Sequence, residues 1–145
     1  MKNLIYLILF SLSVYASQQG DNFLIEKKIM IKIAHAVVPD KRVIKICLQD
    51  TKFPVSIYKE NFTIVQDCKM ADLIILGNNN NQNYSNKDKP IIVLDYNLLK
   101  RYPEAIGAFY WQKGRPNIVM IAPRIKKIGI KLPFEFKRYV ESRVW

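Results

Sequence analysis

The period of the apolar positions changes several times along the chain, and each change marks an element. Ile25, Ile29, Ile33 and Val37 recur every four residues, with Met30 and Ala34 beside them. That spacing makes one apolar stripe of an amphipathic helix, and Glu26, Lys27, Lys28, Lys32 and His35 fall on its other faces. Asp21 or Asn22 is placed to cap it and Pro39 to end it. Residues 43–48 (VIKICL) are rich in β-branched side chains and read as a strand, and residues 62–65 as a shorter one. Residues 71–76 (ADLIIL) and 91–94 (IIVL) are nearly continuous apolar runs. Strands of that kind are buried on both faces, which calls for helices above and below the sheet. Residues 52–61, with Pro54, fit no element.

Between those two runs lies a polar stretch, Gly77 to Pro90, which contains NNNNQN and reads as a surface loop. Asn97 is placed to cap a short helix to about Glu104, with Leu98, Leu99 and Tyr102 as its apolar side. GAFYW (107–111) and NIVMIA (117–122) flank QKGRP, a β-hairpin with Gly114 at the turn. Pro123 suits the start of a further helix, and Gly129 its left-handed end. Pro133 is expected to open a last helix carrying Phe136, Tyr139, Val140 and Val144 on one face. The sum is α/β: a single-domain three-layer sandwich, with a mixed five- or six-stranded sheet and helices on both faces.

The N-terminus changes where this domain is expected to work. Residues 1–16 have the form of a signal peptide: Lys2, an uncharged run from Leu4 to Val14, then Val14-Tyr15-Ala16 as the cleavage site. Cleavage after Ala16 leaves residues 17–145 as the mature α/β domain, exported to the periplasm. The 145-residue chain carries a formal net charge of +11. Such a charge usually raises nucleic acid as a partner, and export argues against one. What remains is a solvated basic surface, or attraction to anionic lipid, to acidic glycans or to an acidic protein. Cys47 and Cys68 are the two cysteines. In an oxidising compartment they read as a disulfide, the alternative being two buried thiols on neighbouring strands.

Little in the chain suggests catalysis. One histidine, His35, cannot build a multi-histidine metal site, and the cysteines lack metal-ligand spacing. There is no nucleophile elbow and no phosphate-binding loop. Asp50, Asp67, Asp72 and Asp95 stand at strand ends, where Asp usually forms turns. The chain is therefore expected to be no enzyme and to hold neither cofactor nor metal. Two binding surfaces are candidates. If the strands before them run parallel, Thr51, Asn78 and Asp95 share one sheet edge, where open α/β sheets bind ligands. That edge is the basis of an alternative reading, a small periplasmic solute-binding module. The other surface is the hairpin, with Tyr110, Trp111, Lys113 and Arg115. Alternation sends Phe109 and Trp111 to one face and Tyr110 to the other, and aromatics with Arg dominate binding hot spots. A hairpin at a sheet edge would need covering, and a homodimer is one way to cover it.

Four stretches together resemble the YfiR-like periplasmic proteins. They are EKKIMIKIAHAVVP (26–39), IKICLQD (44–50) with Cys47, Cys68 ahead of ADLIILG (71–77), and IGAFYWQKGRPNIVMIAPRIKKIGIKLPFEF (106–136). The resemblance implies an α/β periplasmic fold and a Cys47–Cys68 bridge. It also implies a regulator that binds the periplasmic part of a membrane-bound diguanylate cyclase, and so acts on cyclic-di-GMP signalling. Related domains sit beside histidine kinases. The expectation is a non-catalytic regulator of an inner-membrane signalling protein, with Cys47 and Cys68 tuning its hold by their redox state.

Overall fold

Strong β-formers with no polar alternation build the middle of the sheet. A computed structural model describes residues 21–51, 60–78 and 88–145. The expected signal segment, residues 52–59 and residues 79–87 of the Asn-rich stretch lie outside the described residues. The strands are β1 (Ile44–Gln49), β2 (Phe62–Ile64), β3 (Leu73–Leu76), β4 (Ile91–Val93), β5 (Gly107–Gln112), β6 (Arg115–Ile121) and β7 (Val140–Glu141). Among the described residues they form one sheet of 7 strands in the order β2-β1-β3-β4-β5-β6-β7. Every neighbouring pair is parallel except β5–β6. The sheet is mixed, as expected, but has seven strands rather than five or six.

Every residue of β3 and β4 is buried. Ile44, Ile46, Leu73, Ile75, Ile92, Phe109 and Met120 form one core face. Onto it pack Met30, Ile33, Ala34 and Val37 of a helix, α1, whose described part covers 21–37. The other face carries Cys47, Ile74, Leu76, Ile91, Val93, Ala108, Val119 and Ile121. It is covered by Leu98 and Leu99 of helix α2 (Leu98–Arg101), by Tyr102 and by Ala105. Two covered faces make the three layers, and together they remove the central strands from water. Ile25 alone departs from the expected stripe of α1: it is 40% exposed.

Local chemistry explains most boundaries and corrects three. Asn97 precedes α2 but its side chain makes no cap. The capping acceptor is two residues earlier, where Asp95 Oδ1 accepts from the Asn97 N–H at 2.8 Å. The helix is also shorter than expected, ending at Arg101 rather than near Glu104. Helix α3 (Ala122–Ile128) has Pro123 in its first turn and Gly129 left-handed at its end, with φ 79°. After Pro133 the chain forms a 3-10 helix, Phe134–Tyr139, and not a long α-helix. Val140 and Glu141 then pair with Met120 and Ile121 as β7. A spacing of three, Phe136 to Tyr139, suits a 3-10 turn as well as an α-turn, and β-branched Val140 gains more from the free edge of β6.

A candidate binding arm with two clefts

The β5–β6 hairpin turns on two residues with positive φ, Lys113 at 51° and Gly114 at 71°. A turn of that kind matches the right-handed twist of the flanking strands, and glycine takes it without a Cβ penalty. Gln112 and Arg115 pair across it, so the loop is two residues rather than the five of QKGRP. The pairing on either side is much shorter than the hairpin. β4 reaches only Gly107 and Ala108 of β5, and β7 reaches only Met120 and Ile121 of β6. Among the described residues, 109–118 therefore form a two-stranded arm with no strand along either side.

A cleft runs along each side of the arm. The one toward β4 is lined by Asn78, Leu94, Asp95, Tyr96, Asn97, Tyr110, Trp111 and Gln112, with a volume of about 510 Å³. The one toward β7 includes Tyr96, Tyr110, Gln112, Asn117, Arg138, Tyr139, Glu141 and Trp145, with about 420 Å³. Tyr96 and Tyr110 line both. Their rings meet edge to face, 5.6 Å between centroids and 62° between planes. The Tyr96 hydroxyl accepts from the Trp145 N–H at 2.9 Å. The Arg143 guanidinium lies 3.9 Å from the Trp145 ring centroid. Burial, and then the nearness of Tyr96 and Glu141, push the Tyr110 hydroxyl pKa above its ordinary value.

The two candidate surfaces read from the sequence meet at the first cleft. β1, β3 and β4 are parallel, so Thr51, Asn78 and Asp95 do share one sheet edge. Asn78 and Asp95 line the cleft and Thr51 does not. Thr51 instead sits against Gly77, where a Cβ would meet its side chain at 3.0 Å and the Asp50 carbonyl oxygen at 2.1 Å. The Gly77 N–H also donates to the Gln49 carbonyl at 2.8 Å. The order β2-β1-β3-β4-β5 places its reversal between β1 and β3, the usual ligand position in such sheets. Here backbone meets backbone at that position, and the cleft opens two strands further along.

Tyr110 and Trp111 lie on opposite faces, as alternation requires. Trp111 packs beside Phe109, with centroids 6.2 Å apart, and Tyr110 against the other core. Both stay half-buried, while Lys113 and Arg115 are exposed at the tip. Tyr96, Asn97, Gln112 and Trp145 are lining residues that sequence reading missed. Tyr96 and Asn97 directly follow Asp95, which was the available signal.

The bridge between Cys47 and Cys68 is present, with Cα atoms 5.1 Å apart. It joins β1 to the 3-10 turn Cys68–Met70 ahead of β3, not two strands. Gln49 Nε2 lies 3.2 Å from the Cys68 sulfur and 3.5 Å from that of Cys47. Among the described residues no group of three or more His, Cys, Asp or Glu could hold a metal ion. No helix among them is long and apolar enough to cross a membrane. Comparison with protein-family models, with curated proteins and with solved structures finds no match.

Proposed function

We propose that this chain is a non-catalytic regulator in the periplasm. It binds the extracytoplasmic domain of an inner-membrane signalling protein, a diguanylate cyclase or sensor kinase, and holds it in one state. The observation that supports this reading is the arm, 109–118, which stands clear of both neighbouring strands. It carries half-buried Tyr110 and Trp111 beside exposed Lys113 and Arg115, the residue types that anchor protein interfaces. A formal charge of +11 favours an acidic partner surface and fast encounter. The bridge is compatible with an oxidising compartment.

The test is a pull-down from solubilised envelope, followed by titration of the recovered periplasmic domain. One cyclase or kinase should be recovered, and Arg115→Glu and Tyr110→Ala should each weaken it about 30-fold, the size of a hot spot. Affinity unchanged in both variants would remove the arm from the interface. A folded Cys47→Ser, Cys68→Ser variant that binds as tightly as the wild type would remove redox tuning.

A further inference from the structure

We propose that the cleft between the arm and residues 94–97 binds a neutral saccharide. The proposal does not depend on the arm having a protein partner. A cleft of about 510 Å³ is the size of an ordinary small-molecule site. Its lining is selective in charge. No lysine or arginine is among the described residues that line it, and Asp95 is the one carboxylate among them. Among those residues phosphates and carboxylates find no counter-charge and one like charge.

The polar groups that do line it are planar and uncommitted. The side-chain amides of Asn78 and Gln112 and the Trp111 indole N–H make no hydrogen bond to another described residue. Asp95 uses Oδ1 on the Asn97 N–H, which leaves Oδ2 for a ligand. An amide offers a donor and an acceptor side by side, and a carboxylate offers two acceptors. A pair of adjacent hydroxyls on a sugar ring fits both patterns. Trp111 supplies apolar ring surface for the C–H face of the same sugar, at small entropic cost. An apolar ring face beside amide and carboxylate hydrogen-bonding edges is what a neutral sugar requires.

The tryptophans make a direct test. Trp111 and Trp145 are the two in the chain, so Trp145→Phe isolates the emission of Trp111 while keeping the backbone N–H that Tyr96 accepts. The purified protein is titrated with glucose, maltose, N-acetylglucosamine and its β-1,4 disaccharide. At least one should give a saturable change in emission, with a Kd on the order of 1 mM or tighter. Asn78→Ala and Gln112→Ala should each weaken it about tenfold or more without shifting the unfolding midpoint, since both side chains are exposed. Three results overturn the proposal. One is no saturable change with any sugar at about 50 times that concentration. Another is sugar binding that survives both substitutions. The third is saturation by a primary amine or a phosphate ester instead of the sugars, which keeps the cleft as a site and rejects the ligand class.

Discussion

Arg124 Nη1 donates to the carbonyl oxygen of Ala105 at 2.9 Å, and so ties α3 to the segment that leads into β5. The same guanidinium reaches the carbonyls of Tyr102 at 3.3 Å and Leu99 at 3.0 Å. These carbonyls lie at and beyond the last turn of α2, where no further helical N–H is available. Burial lowers the Arg124 pKa, and Glu104 opposes that shift; an arginine stays charged throughout. Arg124→Met should cost about 2–3 kcal/mol, because hydrogen bonds to a charged donor are lost together and the Leu99 and Ala105 carbonyls lose that partner. Arg124→Lys should recover only part of it, since one ammonium cannot span three carbonyls. Urea denaturation midpoints of the three proteins check the ranking.

Asp72 makes stability depend on pH. Its carboxylate accepts from Lys41 Nζ at 2.6 Å and from the Lys45 N–H at 2.9 Å, which joins the start of β3 to the entry of β1. Burial alone would raise its pKa. The Lys41 and Lys45 hydrogen bonds and both positive charges outweigh that and hold it below the ordinary carboxylate value. A depressed folded pKa gives stability that is complete above the unfolded value, about 3.9, and is lost as pH falls through the folded one. Asp72→Asn should therefore cost about 1–2 kcal/mol at neutral pH, with the difference from wild type closing below about pH 4. Urea titrations across pH 2–7 measure this, and a difference that persists undiminished at about pH 2 would contradict it.

Two glycines should respond in different ways to the same substitution. A Cβ on Gly77 would lie 2.1 Å from the Asp50 carbonyl oxygen, which is backbone and cannot step aside. Gly77→Ala should cost about 3 kcal/mol or more, or prevent folding. Around Gly114 there is open space, and only its φ of +71° resists a side chain. Gly114→Ala should cost about 1–2 kcal/mol and leave the fold intact. Thermal midpoints and amide NMR spectra separate the two.

How far the fold could be read from the sequence follows from how many constraints acted on each element. β3 and β4 were legible because a run of apolar residues with no alternation has one stable place, between two covered layers. The hairpin was legible through Gly114, though Gln112 and Arg115 read as loop because polar ends of a projecting arm lack an apolar signature. β7 was illegible: two residues have no period, and their pairing is decided by the vacant edge of β6. Asn78 and Asp95 were found from strand ends alone, whereas Thr51 failed because one missing Cβ, at Gly77, let backbone occupy its corner. Tyr96 and Trp145 came together across 49 residues of chain, a separation that local patterns do not encode.

Replacing both cysteines by serine should cost about 3 kcal/mol, the chain entropy of a loop of about 20 residues. Denaturation of the double variant under non-reducing conditions checks the size. Treating the wild type with a thiol reductant should give the same loss, and a midpoint unmoved by both would show that the bond adds nothing to stability.

That covalent loop, from Cys47 to Cys68, encloses β2 and excludes β3, β4 and the arm. Among the described residues β2 is an outermost strand, attached through three residue pairs to β1 alone. The bond thus leashes one margin of the sheet and leaves its interior to packing. Were β2 to peel away, the flank of β1 would become a bare template of unpaired N–H and C=O groups, the kind that recruits strands from other chains. The bond's consequence is therefore social as well: by holding β2 in place it guards that flank of β1 against a strand from a second copy.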